Sequence, residues 1–251
     1  MRVERIGLAT LYLGDCREVL PEILVTADTT VITDPPYSSG GFQEAGKSGG
    51  SIGTRTDEVI ALDNLSTRGY QRLMREVLRH LNIADEAYIF TDWRMWVYTA
   101  DALEDGGWRV RNMLVWDKQQ MGMGLPWRNQ HELVAFGKRT PAKMKDGKAG
   151  NVLAVPRSGN ANHPTEKPVL LMERLVANSN GAMVIDPFMG SGTTGVASLS
   201  QGVPFIGVEM DVKHFDTACR RMAAIEAQGK MFEPARAEQH GLALYAEVTG
   251  A

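Results

Sequence analysis

Short apolar runs and stretches with helical spacing alternate along the chain. Residues 10–15 (TLYLGD) alternate as a short strand does, and 16–23 (CREVLPEI) fit one short helix. Residues 30–34 (TVITD) are an unbroken, β-branched apolar run, the pattern of a strand covered on both faces. Residues 68–81 place Leu73, Val77, Leu78 and Leu81 on one helical face. A second buried strand follows at 86–92 (EAYIFTD), then a helix from about Arg94 to Leu103. Residues 108–118 and 131–138 read as two strands joined by QQMGMGLPWRNQ. The last third runs helix (168–179), strand (181–188), helix (192–201), strand (203–211) and a long helix from Val212. Residues 38–56, rich in Gly and Ser, and the polar stretch 137–162 read as loops.

This alternation predicts a mostly parallel sheet with helices on both faces. No internal repeat interrupts it. We expect one α/β domain over 1–230, with a basic segment at about 118–162 and a patternless tail at 231–251.

Composition changes this picture little. The chain has 251 residues, 43% hydrophobic and 23% charged, with no apolar run near the ~20 residues of a membrane span and no signal-peptide core at the start. The expected location is cytoplasmic. Two cysteines, Cys16 and Cys219, supply neither a disulfide framework nor a metal cluster. His131 and Glu132 lack the second histidine of a zinc helix, so no metal is expected. The formal net charge is −3, yet residues 107–150 hold nine Lys or Arg against three acids. One basic segment on an acidic body is the pattern of a local polyanion site; a solvated, lysine-rich loop would look the same.

Three glycine-bearing stretches carry chemistry. Residues 41–48 (GFQEAGKS) match the phosphate-loop pattern by letter, but no strand directly precedes them and no helix can start in GGSIGTR, so the match is discarded. Residues 190–195 (GSGTTG) follow a strand and open a helix, and Glu209 closes the next strand. Gly190 and Gly192 would let backbone approach a ligand, and Glu209 would accept ribose hydroxyls, as nicotinamide dinucleotide and S-adenosylmethionine sites both require. Asp186, in the preceding DPF, suits a cationic ammonium better than a pyrophosphate and tilts the reading toward S-adenosylmethionine.

The stretch DPPY (34–37) ends a buried strand with an acid, two prolines that forbid a helix, and an aromatic ring. If the cofactor carries a methyl sulfonium, the acceptor must be made nucleophilic. The lone pair of an exocyclic amino group on a nucleobase is delocalised into the ring. Two acceptors on its N–H bonds, the Asp34 carboxylate and the Pro35 carbonyl held by Pro36, would free it. Tyr37 would give a flipped base a ring to stack on, worth ~1–3 kcal/mol.

DPPY followed downstream by DPFMGSGTT (186–194) resembles the β class of DNA amino-methyltransferases, over roughly Thr10 to Met222. That resemblance implies a circularly permuted, Rossmann-like fold with a seven-stranded mixed sheet and helices on both faces. It implies transfer from S-adenosylmethionine to adenine N6 in duplex DNA, with base flipping, as in restriction–modification systems. Asp34, Pro35, Pro36 and Tyr37 would be catalytic. Asp15, with the Cys16 backbone beside it, would meet the cofactor's adenine, although Asp15 could instead cap the following helix. Thr165 and Lys167 in HPTEKP would hold the methionine carboxylate; His163 there is as readily a loop hydrogen-bonder. Asp186, Phe188, Gly190, Ser191, Gly192, Thr193 and Thr194 would form the cofactor turn, and Glu209 with Met210 the ribose end. Lys118, Arg128, Lys138, Arg139 and Lys143 would meet DNA phosphates. Of five tryptophans, Trp93, Trp96, Trp108 and Trp116 are expected in the core and Trp127 against DNA. Members of the class often pair, which leaves a homodimer open. Neither cysteine follows a proline, so the nucleophile of cytosine C5 methylation is missing.

The asparagine-headed variant of the first motif would suggest a protein substrate; Asp34 favours adenine, with cytosine N4 the alternative. Two rivals are a nicotinamide-dependent oxidoreductase built on GSGTTG, which leaves DPPY and HPTEKP unexplained, and a non-catalytic nucleic-acid binder with the same fold.

Overall fold

All seven expected strands are present in the computed structural model, which describes residues 1–36, 66–122, 127–141, 145, 149–157 and 166–232. They are β2 (Ala9–Leu13), β3 (Thr29–Thr33), β4 (Glu86–Thr91), β5 (Arg109–Asp117), β6 (His131–Lys138), β8 (Met183–Asp186) and β9 (Phe205–Glu209). Two more, β1 (Arg2–Ile6) and β7 (Val152–Ala154), complete one sheet ordered β1-β2-β9-β8-β3-β4-β6-β5-β7. The expected count of seven is therefore corrected to nine among the described residues. Both additions are edge strands: β1 spells RVERI, whose charges suit an exposed edge, and β7 is three residues inside a stretch read as loop.

β6 runs antiparallel to both neighbours, β4 and β5, and β1 is antiparallel to β2; the remaining pairs are parallel. Every residue of β3 (TTVIT) and β4 (EAYIFT) is buried, as central strands with covered faces must be. Alternation splits their side chains: Ile32, Tyr88 and Phe90 enter one core, Val31, Ala87 and Ile89 the other. The first core is closed by α4 (Val169–Asn178), α5 (Thr193–Ser200) and α6 (Val212–Phe232), the second by α1 (Cys16–Val19), α2 (Thr67–His80) and α3 (Trp96–Asp105). In α2, Ser66 caps by accepting from Gly69 N at 3.1 Å, and the buried face is Tyr70, Met74, Val77 and Leu78. Leu73 is only half-buried, so the apolar stripe lies one residue round from its expected position.

Two buried ends need explanation. Glu86, at the start of β4, accepts from Lys138 Nζ at 2.5 Å, Asn180 Nδ2 at 2.6 Å and Asn180 N at 2.9 Å. At the other end of the sheet, the connection from β8 through α5 to β9 steps one way and that from β3 to β4 steps the other. Strand order thus reverses between β8 and β3, and the crevice beyond their carboxyl ends is where open α/β sheets bind ligands. No helix among the described residues is long and apolar enough to cross a membrane.

Candidate active site

The glycine turn leaves β8 at Asp186 and enters α5. Gly190 has φ +53° and Gly192 φ +83°, values that a side chain disfavours. A Cβ on Gly190 would meet nothing within 4 Å, so space lies open over this residue. A Cβ on Gly192 would lie 2.8 Å from that of Ala218 in α6, so this glycine serves packing. Asp186 is buried and fully engaged: Oδ1 accepts from Thr33 Oγ1 at 2.6 Å and Phe188 N at 3.1 Å, and Oδ2 from Thr194 Oγ1 at 2.7 Å. Burial pushes its pKa up to about 6, with those three donors working against the rise and the Asp34 charge adding to it. Asp186 thereby ties β3 to the head of α5.

From α6, Arg221 holds the turn's other side. Its Nη1 donates to Ser191 O at 2.8 Å, Ser191 Oγ at 3.1 Å and Thr193 Oγ1 at 3.2 Å, while Nη2 meets Glu166 Oε1 at 2.7 Å. Ser191, Thr193 and Thr194 are buried. Glu209, at the end of β9, accepts from Gly190 N at 2.9 Å and Asp211 N at 2.7 Å, and burial raises its pKa. Met210 beside it is exposed. Gly14 N donates to Glu209 O at 2.9 Å, which brings Asp15 to the same edge. Asp15 accepts from Arg17 N at 2.9 Å, capping α1, and pairs with the Arg17 guanidinium, which holds its carboxyl below the usual range. The capping alternative is thus what the free protein shows. The neighbouring Cys16 thiol is buried and pushed up to about 12 by that burial.

Asp34 follows β3 directly, with Pro35 buried and Pro36 half-buried behind it. Its Oδ2 accepts from Lys167 Nζ. Lys167 was expected at a methionine carboxylate; in the structure its ammonium pairs with Asp34 and also lies 3.4 Å from Glu132 Oε2. Glu132 Oε1 in turn receives Lys118 Nζ at 2.5 Å. The result is a chain of alternating charge, Asp34, Lys167, Glu132, Lys118, delivered by the ends of β3, β6 and β5 and by the segment before α4. Phe90 and Trp116 floor it, their ring centroids 5.2 Å from Lys167 Nζ and 5.1 Å from Lys118 Nζ. Burial opposes charge at both Lys167 and Glu132, yet the facing partners win: the Lys167 pKa stays above the lysine value and that of Glu132 below the glutamate value. For Lys118 burial prevails and the pKa falls.

Three of the residues expected against DNA are engaged within the fold. Lys118 belongs to this buried chain. Lys138 is buried between Asp85, at 2.7 Å, and Glu86. Arg139 donates to the carbonyls of Ala84, Gly106 and Gly107 and lies 4.4 Å over the Trp108 ring. Arg128 is exposed, with Nε on Gly122 O at 2.7 Å, and Trp127 is 89% exposed. Trp108 and Trp116 are core residues as expected, but Trp93 is 58% exposed and carries Arg94 5.0 Å over its ring. Tyr37, Lys143, His163, Thr165 and the 38–56 loop lie outside the described residues.

Sequence reasoning missed Glu132, Glu166 and Arg221. The available signal for Glu132 was an acid opening an otherwise apolar strand. Its cationic partners lie 14 and 35 residues away along the chain; the pairing of β5 with β6 brings up Lys118, and the segment before α4 brings up Lys167.

The fold and this edge define an α/β protein whose crevice joins a glycine turn to an acid–proline motif. Residues 29–220 match the DNA methylase family model (N6_N4_Mtase), and the chain belongs to that family. It is 27% identical over 222 residues to the Type II methyltransferase M2.DpnII of Streptococcus pneumoniae, covering 77% of this chain and 82% of that one. Among solved structures it resembles M1.HpyAVI in its SAM complex, with TM-score 0.63, 24% identity, and coverage of 85% of this chain and 98% of that one. It also resembles the cytosine-N4-specific PvuII DNA methyltransferase, with TM-score 0.64, 15% identity, and coverage of 90% and 96%.

Proposed function

We propose that this chain transfers a methyl group from S-adenosylmethionine to the exocyclic N6 of an adenine flipped out of duplex DNA. The observation that carries the reading is Asp34, set by two prolines at the end of β3, next to the strand whose glycine turn opens the neighbouring half of the crevice. The residues present fit such a cofactor. Open space lies over Gly190, and the carboxylate of Glu209 is held at the strand end by two backbone amides, positioned for vicinal hydroxyls. The bound cofactor supplies the methyl group and the sulfonium from which it departs.

The protein's part is positioning and electrostatics. Asp34 Oδ accepts one amino N–H of the base and the Pro35 carbonyl the other, which localises the nitrogen lone pair toward the methyl group. Asp34, not a second base, is the group through which the amino proton leaves. The acid–proline unit, at the end of β3, precedes in the chain the glycine unit at the end of the adjacent strand β8; we read this as a permuted order of the fold. Exposed Trp127 and Arg128 before β6, and the Trp93–Arg94 pair after β4, project from the same sheet edge and suit stacking on bases and contact with phosphate. Cytosine N4 is the alternative acceptor, since the same two acceptors would activate either exocyclic amine.

Asp34→Ala tests this reading. Turnover on DNA is expected to disappear while cofactor affinity stays within about threefold, the signature of an interaction made at the acceptor. A variant that still methylates would show that Asp34 is not the acceptor.

A further inference from the structure

If Asp34 is the acceptor proposed above, the Lys167 ammonium sits on one of the two oxygens of the very carboxylate that an incoming amino group needs. We propose that Lys167 is a switchable counter-ion that closes Asp34 in the free protein, and that Glu132 is the berth to which it moves when the base enters.

The geometry supplies both positions. Lys167 Nζ is bonded to Asp34 Oδ2 and lies 3.4 Å from Glu132 Oε2. That Glu132 oxygen is buried and holds the Lys167 ammonium only as a long ion pair, not a well-formed hydrogen bond, while the other oxygen of the same carboxylate is taken by Lys118 at 2.5 Å. A buried carboxylate oxygen gains when a long ion pair shortens into a direct charge-assisted hydrogen bond. Shortening that contact offsets part of what is lost when the ammonium leaves Asp34. The exchange needs only a small swing of the side chain's end, because the neighbouring Glu166 is held to the glycine turn through Arg221, which fixes the backbone on one side. On the other side Pro168 leads into α4.

The exchange also keeps charge in balance. Asp34, Lys167, Glu132 and Lys118 carry two negative and two positive charges, and the swing moves one ammonium from one carboxylate to the other without changing that sum; with Lys167 on Glu132, the ammonium no longer covers Asp34 Oδ2. An ammonium left on Asp34 would compete with the amino group for the same lone pairs and repel the positive sulfur centre. The switch ties acceptor strength to base binding: Lys167 neutralises Asp34 until a base displaces the ammonium toward Glu132. Lys167 and Glu132 are positioning residues in this scheme, acting through Asp34.

The test is a double-variant cycle in single turnover at saturating cofactor, using the full chain and unmethylated duplex DNA. Glu132→Gln removes the charged berth and is expected to slow transfer roughly tenfold or more, with cofactor Kd within about twofold. Lys167→Met removes the gate. The double variant is expected to be faster than Glu132→Gln alone, because a gate with no berth is worse than no gate. Should Glu132→Gln fail to fold, as judged by its thermal transition, Glu132→Asp keeps the charge at shorter reach and is expected to show the same split with a smaller loss. Multiplicative losses in the double variant, or a wild-type rate in the folded Glu132 variant, overturn the gate and leave the functional reading standing. A wild-type protein that binds cofactor but methylates no DNA overturns that reading, and the gate with it.

Discussion

Replacing each glycine of the turn by alanine separates folding from cofactor binding. Gly190 and Gly192 both have positive φ, +53° and +83°, so a Cβ at either position incurs about 1–2 kcal/mol of backbone strain. At Gly190 no neighbour lies within 4 Å of the added carbon, so the strain is the whole cost, and the reduced freedom of the unfolded chain returns about 0.4–1 kcal/mol of it. At Gly192 the added carbon would lie 2.8 Å from Ala218 Cβ, 3.1 Å from Ala218 Cα and 2.9 Å from Met222 Cε. Met222 can turn aside; Ala218 is buried in α6 with no rotamer to change, and such overpacking costs a further ~1–3 kcal/mol. In urea unfolding, Gly190→Ala should lose no more than about 1–2 kcal/mol and Gly192→Ala about 2–5 kcal/mol. Titration with S-adenosylmethionine should reverse the order of interest: Gly190→Ala fills the open space and should weaken binding about tenfold or more, equivalent to ~1.4 kcal/mol. A Gly190→Ala protein that binds the cofactor with unchanged affinity would refute the placement of the cofactor over this turn. Equal stability losses at the two glycines would refute the packing argument.

Asp186 gives a pH signature. Its pKa is raised from 3.8 to about 6 in the fold, so the folded protein holds its proton more tightly and this contribution to stability is full below about pH 4 and lost as pH rises through about 6. The loss amounts to about 3 kcal/mol at 1.36 kcal/mol per unit. The stability of the wild type relative to Asp186→Asn, measured in urea without cofactor, should therefore fall by that order between about pH 4 and pH 7; a difference that is flat or rises contradicts the environment described. Trp127→Ala should leave the thermal transition unchanged, since the ring is 89% exposed, and should weaken DNA binding by ~1–3 kcal/mol; unchanged DNA affinity would remove Trp127 from the interface. Lys138→Ala should do the opposite. It strands Glu86 and Asp85 without their ammonium, costing ~3–5 kcal/mol of stability, while the salt dependence of DNA binding stays that of the wild type.

The contrast between Trp127 and Lys138 also shows how far the sequence could be read. Periodicity located β3 and β4 because their burial on both faces leaves an unbroken apolar run. It passed over β1 and β7, whose exposed edge positions demand no apolar pattern. The glycine turn was legible because positive φ and close approach both require glycine, and the acid–proline motif because proline restricts the chain wherever it occurs. The basic segment misled. A count of lysines and arginines carries no information on pairing, and Lys118 and Lys138 meet their carboxylates only through the antiparallel contacts of β6 with β5 and β4. Lys167 is a related case. A lysine before α4 reads as a ligand contact, and only the fold shows it bridging Asp34 and Glu132. Residue type alone suggests a core position for Trp93, yet it lies beyond the last buried residue of β4, where the chain has left the sheet.

The central claim is tested most directly by identifying the product. Purified protein is incubated with unmethylated genomic DNA and S-adenosylmethionine, the DNA is digested to nucleosides, and modified bases are identified by mass spectrometry, with Asp34→Ala in parallel. The account predicts N6-methyladenine from the wild type and none from the variant. N4-methylcytosine would keep the activation by Asp34 and change the acceptor base. The absence of any modified base from protein shown to bind the cofactor would contradict the account.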